Sequence, residues 1–247
     1  MSSSKLFAIV AGAGSGTGRA VALRFAKAYP VVLMARRPES YQDTVTAIMQ
    51  SGGRAVGIST DVADAKSVGL AFDAIARELP DFKLAAAVYN VASGYMIKPF
   101  LELKPEDLDD SFSGSARGLF NFAQKTIPLL LDAVPESEHS PTLLITGATS
   151  SLRGSAKFGT LAAGMFARRA LAQSLAREFH PQGIHVAHAI IDGIIDIPRT
   201  QDYSVNGGVE DGKLKPDAIA ESYWHLHTQT RSAFTHELDL RPYVETF

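Results

Sequence analysis

The sequence has no cysteine among its 247 residues, which excludes disulfide bonds, thiolate metal ligands and a cysteine nucleophile. No apolar run approaches the roughly 20 residues that a membrane span needs. The opening residues, Met-Ser-Ser-Ser-Lys, lack the apolar core of a signal peptide. We therefore expect a cytoplasmic protein that does not enter a membrane.

A large net charge is also missing, since 24 Lys and Arg against 26 Asp and Glu give a formal charge of −2. So small a charge provides no field to attract nucleic acid or an acidic membrane surface, and neither is expected as a partner. Apolar residues, in contrast, are plentiful at 46%, enough for one large core. No shift in composition marks a linker, so we predict a single domain over residues 1–247.

A glycine-rich turn follows the first apolar run. Residues 6–11 predict a buried strand, and residues 19–26 carry apolar side chains at helical spacing. Glycines let the backbone approach a phosphate, whose charge meets the free N–H groups and the positive end of the helix. The pattern predicts a dinucleotide site, although such a turn also serves where a strand simply packs tightly on a helix. The predicted contacts are Gly12, Gly14, Ser15, Gly16, Thr17 and Gly18.

Strand and helix patterns alternate along the rest of the chain. The predicted strands are apolar throughout, which is typical of a parallel sheet covered on both faces. We therefore predict an α/β fold with a doubly wound parallel sheet of the Rossmann type. Further strands are predicted at residues 31–35, 55–59, 84–89, 142–146, 184–191 and 234–240. One helix is expected from Pro105 to about Leu131 and another over residues 159–179, with a substrate loop at about 194–216 and a C-terminal cover at 217–247.

The order of these elements and motifs resembles the short-chain dehydrogenase/reductase superfamily over nearly the whole chain. The family's glycine motif is matched by Gly12, Gly16 and Gly18, with Ala11 in place of its usual threonine. The resemblance implies a nicotinamide cofactor, a small-molecule substrate and a homodimer or homotetramer.

Other parts of the resemblance add cofactor contacts. The pair Asp61-Val62 is similar to the family's adenine-side acidic motif. Asn90-Val91-Ala92 resembles its Asn-x-Ala-Gly motif, with Ser93 inserted before Gly94. After the sixth strand the family usually has Pro-Gly beside the nicotinamide, whereas this chain departs from the motif with Asp192-Gly193. The contacts that the resemblance implies in these motifs are Asp61, Val62, Asn90, Ala92, Gly193 and Ile195.

The end of the second strand bears on the choice of cofactor. A carboxylate there binds the ribose hydroxyls of NAD, whereas the 2′-phosphate of NADP needs a guanidinium. This chain has Ala35 followed by Arg36 and Arg37. The sequence favours NADP(H), and the alternative is that both arginines are solvated loop charges.

The family's catalytic serine, tyrosine and lysine are not found in this sequence. Alignment on the helix end at residues 170–178 places them at Ala148, Leu161 and Met165, which are all apolar. Lys157 does not replace the lysine, because the residue one helical turn before it is Arg153 rather than tyrosine. We expect an atypical active site without the usual proton donor.

Four residues near these positions are candidates to replace the missing groups. Tyr95 has a phenol, and Asp192 and Asp196 could act as a general base or as a counter-charge to an iminium. Ser150 could bind a substrate oxygen. The alternatives are a pocket-lining tyrosine and turn-capping aspartates. No metal site is predicted.

Three functions remain open from the sequence. The first is an NADP(H)-dependent oxidoreductase that acts on a small or medium organic molecule, such as an imine, iminium or enone that needs no enzymatic proton donor. The second is a redox-silent isomerase or cyclase on the same fold. The third is a catalytically inactive, cofactor-binding partner subunit. The intact cofactor motifs favour the first.

Overall fold

A seven-stranded sheet forms the centre of the protein in the computed structural model, which describes residues 5–92 and 94–246. The strand order is β3-β2-β1-β4-β5-β6-β7, and all neighbouring strands are parallel. The strands are β1 (Lys5–Ala11), β2 (Val31–Ala35), β3 (Ala55–Ser59), β4 (Phe82–Tyr89), β5 (Thr142–Ala148), β6 (His185–Ile191) and β7 (Glu237–Leu240).

Helices cover both faces of this sheet. The helices are α1 (Thr17–Phe25), α2 (Gln42–Gln50), α3 (Ala65–Glu78), α4 (Pro105–Phe112), α5 (Gly118–Ala133), α6 (Gly159–Phe179) and α7 (Pro216–His227). Side chains of α3, α5 and α6 pack in one core layer, and those of α1, α2 and α7 pack in the other. Within the described residues, no helix combines the length and apolar character that crossing a membrane requires.

The first strand shows why the strand sequences are apolar throughout. Phe7 and Ile9 point into one core layer, whereas Ala8 and Val10 point into the other. Successive residues of a strand face opposite sides of the sheet, so a sheet buried on both sides needs apolar residues at every position. The predicted doubly wound parallel fold is confirmed.

The chain changes direction across the sheet at β1. The strands β2 and β3 lie on one side of it, and β4 to β7 lie on the other. At such a switch point the loops at the carboxyl ends of the strands diverge and leave a crevice. The topology therefore places the glycine-rich turn after β1 in the middle of this crevice.

The helix predicted from Pro105 to about Leu131 is present, but a π-helical turn lies at its centre. A π-helical turn, Ser113–Arg117, separates α4 from α5. The wider turn leaves the Gly114 carbonyl to accept a hydrogen bond from the Tyr89 hydroxyl at 2.7 Å and another from Arg168 at 3.0 Å. Such single turns interrupt a helix without changing its apolar spacing enough to be visible in the sequence.

Candidate active site

A cleft of about 610 Å³ opens at the carboxyl ends of the central strands. Its wall is formed by the glycine-rich turn, the end of β2, the loop after β4, the π-helical turn, one face of α6 and the segment after β6. This is the position at which doubly wound sheets bind their ligands.

The glycines of the turn have different structural roles. Gly12 has a φ of +84°, and a Cβ there would lie 2.4 Å from the Asn90 carbonyl oxygen. A Cβ on Gly18 would lie 2.2 Å from the Gly12 carbonyl oxygen. A Cβ on Gly14 would have no atom within 4 Å. Gly12 and Gly18 are thus needed for the backbone path, whereas Gly14 leaves open space beside the turn.

The start of α1 presents unpaired donors next to that space. Within the described residues, the backbone N–H groups of Ser15, Gly16 and Thr17 make no hydrogen bond. The Thr17 hydroxyl is buried and also has no partner among them. Free N–H groups at the positive end of a helix are suited to a phosphate, so the turn fits the pyrophosphate of a dinucleotide.

Two arginines stand at the β2 side of the cleft. Arg36 and Arg37 are exposed and line it, and neither guanidinium makes a hydrogen bond or ion pair within residues 5–92 and 94–246. Asp61 lines the same side, and its carboxylate accepts a hydrogen bond from the Ala63 backbone N–H at 3.0 Å. The two cations are free to meet an anionic ligand.

Asn90 ties three strand ends together. Its side-chain amide donates to the Gly12 carbonyl at 3.1 Å, and its Oδ1 accepts a hydrogen bond from the Thr146 hydroxyl at 3.0 Å. The Thr146 hydroxyl in turn lies 2.7 Å from the Tyr223 hydroxyl. Because both of its polar atoms are engaged, Asn90 fixes the relative positions of the turn, β4 and β5.

The remaining predicted cofactor contacts divide into two groups. Val62, Ala92 and Ile195 line the cleft. Gly193 does not belong to the lining; its φ is +149°, and a Cβ there would lie 2.7 Å from Pro242. Ser93, which the sequence places before Gly94, lies outside the described residues.

One face of α6 forms the far wall of the cleft. Leu161, Met165 and Arg168 lie about one helical turn apart along this face, and all three line the cleft. Ala148, where the sequence alignment expects the serine, is not part of the lining; its backbone N–H donates to the Ser151 hydroxyl at 3.1 Å. The wall combines two apolar side chains with one guanidinium.

Arg168 was missed by the sequence reasoning. It is 2% exposed, and its guanidinium donates hydrogen bonds to the carbonyls of Thr146 at 2.9 Å, Val91 at 2.8 Å and Gly114 at 3.0 Å. The Tyr89 ring centroid lies 5.1 Å from the guanidinium carbon. The Arg168 Nε–H has no acceptor within the described residues. The spacing from Leu161 and Met165 was the signal that could have identified it.

Burial changes the acidity of both partners in this contact. Loss of solvation lowers the pKa of Arg168 and raises the pKa of Tyr89. A guanidinium nevertheless remains protonated in a protein, and a phenol with a raised pKa remains neutral. The far wall therefore holds one fixed positive charge.

The candidate catalytic residues are not all brought together. Tyr95 lines the cleft and is 44% exposed. Asp192, Asp196 and Ser150 are not part of the lining. Asp192 is buried, accepts a hydrogen bond from the Thr149 hydroxyl and lies 3.2 Å from the Arg241 guanidinium. The structure thus groups the tyrosine, but neither aspartate, with Leu161 and Met165.

No cluster of three or more histidine, aspartate or glutamate side chains in the described ranges is arranged to hold a metal ion.

A comparison with protein families decides the identity of this fold. Residues 6–205 match the model of the short chain dehydrogenase family. The chain belongs to this family. A curated relative, an uncharacterized oxidoreductase of Staphylococcus aureus, is 27% identical over 237 residues, which cover 95% of this chain and 96% of that protein. The protein is therefore an oxidoreductase of the short-chain dehydrogenase type.

Solved structures agree with this assignment. A short-chain dehydrogenase from Rhodopseudomonas palustris is 31% identical, with a TM-score of 0.77 over 96% of this chain and 99% of that one. Two structures at 23% identity share the fold. They are an alcohol dehydrogenase from Thermococcus sibiricus in complex with 5-hydroxy-NADP (TM-score 0.82, covering 98% of each chain) and a 3-ketoacyl-(acyl-carrier-protein) reductase from Brucella melitensis in complex with NADH (TM-score 0.84, covering 97% of this chain and 98% of that one). Structural neighbours of this short-chain dehydrogenase thus bind NADP-type cofactors or NADH.

Proposed function

We propose that this chain is an NADP(H)-dependent oxidoreductase that reduces a small or medium organic molecule at a site without the family's serine, tyrosine and lysine. The observation that carries the proposal is the cleft itself. The phosphate-binding turn, two partner-free arginines and the apolar pair Leu161 and Met165 line one continuous space. An acceptor that needs no enzymatic proton donor, such as an imine, iminium or enone, suits such a site.

The choice of NADP(H) over NAD(H) is supported by charge. Arg36 and Arg37 follow β2 directly, on the side of the turn where the adenosine half of a dinucleotide binds in this topology. A guanidinium binds a 2′-phosphate with two parallel hydrogen bonds, whereas the 2′-hydroxyl of NAD calls for a carboxylate. The last residue of β2 is Ala35, which supplies no carboxylate.

Distinct parts of the cleft would hold the cofactor. The N–H groups at the start of α1 bind the pyrophosphate, and Arg36 and Arg37 bind the 2′-phosphate. Asn90 holds the turn and β5 in place through its bonds to Gly12 and Thr146. When bound, NADPH supplies a hydride to the substrate.

The supply of protons follows from the far wall. Leu161 and Met165 can neither donate a proton nor lower the pKa of a phenol. Tyr95 is the tyrosine of the described lining, and its exposure of 44% leaves it in contact with solvent. Tyr95 or water therefore donates the proton that completes the reduction. A substrate that takes its proton from water after hydride uptake needs no proton donor from the protein.

Fluorescence titration of the purified protein with NADPH and NADH tests the proposal. We expect tighter binding of NADPH, and a loss of that preference in Arg36→Ala and Arg37→Ala. The matched control is Arg77→Ala, which removes an exposed arginine from α3, outside the cleft. Turnover of NADPH would then be screened with ketones, enones and imines.

The outcomes separate the alternatives. A preference for NADH would overturn the cofactor assignment but leave the redox role. Absence of binding by either cofactor in folded protein would overturn the proposal. Product formation that persists without cofactor would instead identify an isomerase or cyclase. Activity that requires a related chain would identify a partner subunit.

A further inference from the structure

We propose that the buried Arg168 guanidinium makes the far end of the cleft selective by charge: for NADPH over NADP⁺, and for neutral conjugated ketones over cationic iminium substrates. This inference rests on the proposed function, because it concerns the ligands that a redox site would hold. It narrows the substrate class to acceptors that gain negative charge during reduction.

The strand order places the nicotinamide half near Arg168. The pyrophosphate site lies after β1, and Arg36 and Arg37 follow β2 on one side of it. A dinucleotide whose adenosine half lies over β2 must extend its other half towards β4 and β5. The part of the cleft on that side is lined by Val91, Thr146, Leu161, Met165, Tyr95 and Arg168.

Arg168 is a buried cation without an acidic partner. No carboxylate within the described residues forms an ion pair with it, and its three acceptors are the neutral carbonyls of Thr146, Val91 and Gly114. Asp61 is the one acid of the described lining, and it stands on the β2 side. Asp192 is held by Arg241. An isolated charge in a dry environment is costly, so the positive charge favours a ligand that brings negative charge to this end.

The two forms of the cofactor differ at this end. The nicotinamide ring of NADP⁺ carries a positive charge, whereas the ring of NADPH is neutral. Their phosphates, adenine and ribose groups are the same, so the other contacts of the cleft affect both forms alike. A fixed cation beside the ring therefore weakens the binding of NADP⁺ relative to NADPH.

The same charge discriminates between acceptors. A conjugated ketone that takes up a hydride at its β carbon forms a new C–H bond, moves its C=C electron pair towards the carbonyl carbon and becomes an enolate, with negative charge on oxygen. The hydride and its two electrons come from NADPH, and a proton from water completes the saturated ketone. Arg168 favours the build-up of this negative charge. An iminium is cationic from the start and is repelled.

Isothermal titration of the whole protein with NADPH and with NADP⁺ tests the inference. In the wild type we expect NADPH to bind at least about tenfold more tightly, which corresponds to about 1.4 kcal/mol. Arg168→Gln should reduce this ratio about fivefold or more, whereas Arg168→Lys, which retains the charge, should keep most of it. Arg77→Gln is the matched control, since Arg77 is an exposed cation of α3 outside the cleft, and its removal should leave the ratio intact.

A purely structural role for Arg168 predicts a different result. Loss of its three hydrogen bonds would weaken the binding of both forms equally in Arg168→Gln and Arg168→Lys, and the ratio would not change; that result overturns the inference. Equal affinities in the wild type overturn it as well, even if both variants fail to fold. Failure of either cofactor form to bind the folded wild type would instead contradict the proposed function.

Discussion

The Asn90 side-chain amide donates a hydrogen bond to the Gly12 carbonyl at 3.1 Å, and the Asn90 carbonyl occupies the space where a side chain on Gly12 would lie. The end of β4 and the turn after β1 are thereby fixed against each other. This contact fixes the glycine-rich turn relative to the strand that precedes Tyr95, and the turn, Leu161 and Met165 all line the cleft.

Substitutions can distinguish the structural role of Gly18 from the binding role of Gly14. Gly18→Ala should destabilise the protein by about 1–3 kcal/mol, because the new Cβ would lie 2.2 Å from the Gly12 carbonyl oxygen. Gly14→Ala has open space and should change the free energy of unfolding by less than about 0.5 kcal/mol. It should nevertheless weaken NADPH binding if the turn holds the phosphates as proposed. Urea unfolding and NADPH titration measure the two effects. Unchanged NADPH affinity in Gly14→Ala would place the phosphates elsewhere.

Asp192 is expected to stabilise the fold rather than to transfer protons. Asp192→Asn removes the carboxylate that faces Arg241, and it should lower the free energy of unfolding by about 1–3 kcal/mol, since Arg241 keeps Asp239 as a partner. NADPH affinity and turnover should persist. The exposed Asp196 offers the control Asp196→Asn, with little effect on stability. Loss of turnover in folded Asp192→Asn would instead indicate that Asp192 acts as a general base.

Stability should fall in mild acid because of His227. Burial lowers the pKa of this histidine to about 3, from 6.5, and its ring lies between the Tyr29 hydroxyl and Thr142. The unfolded chain binds a proton below about pH 6.5, whereas the folded chain does not until about pH 3. The free energy of unfolding therefore decreases as pH falls through this window, by up to about 1.4 kcal/mol per pH unit for one histidine.

Urea unfolding between pH 7 and pH 4.5 measures this slope. In His227→Gln the slope should be smaller, while His225→Gln, an exposed neighbour on the same helix, should retain it. The free energy of unfolding should still depend on pH in both variants, because burial also lowers the pKa of His188 to about 4. An unchanged slope in His227→Gln would show that this ring is protonated in the folded state.

Substitutions of exposed side chains on α5 and α6 can test the predicted homodimer or homotetramer. Phe120 on α5 is 53% exposed and Phe166 on α6 is 42% exposed. Exposed aromatic side chains on neighbouring helices are typical of an interface. Phe120→Glu and Phe166→Glu should reduce the mass measured by light scattering, whereas Leu70→Glu on α3 should not. The same mass in all three variants would exclude this face.

The sequence was sufficient for the fold because its signals are local. The apolar run at residues 6–11 and the glycines after it depend only on neighbouring residues, and the structure places them as predicted. The π-helical turn at residues 113–117 was not predictable in this way, because it is recognised by which carbonyl its N–H groups reach and not by residue type.

The site depended on contacts between distant parts of the chain. Asp192 follows β6 with a sequence typical of a candidate base, but Arg241 from the C-terminal segment pairs with it. Arg168 looks like an ordinary helix residue, and only the loops that contain Val91 and Gly114 bury its guanidinium. Such tertiary partners decide whether a charged side chain is reactive, structural or part of a binding site, and no local pattern records them.

The segment after β6 rests directly on the glycine-rich turn. A Cβ on Gly16 would lie 2.8 Å from the Cγ2 atom of Ile197. The two positions therefore share one volume, so the side chain that fits at one depends on the side chain at the other. A larger residue at 16 becomes acceptable only with a smaller one at 197, so relatives that have lost this glycine should have a reduced side chain at the second position.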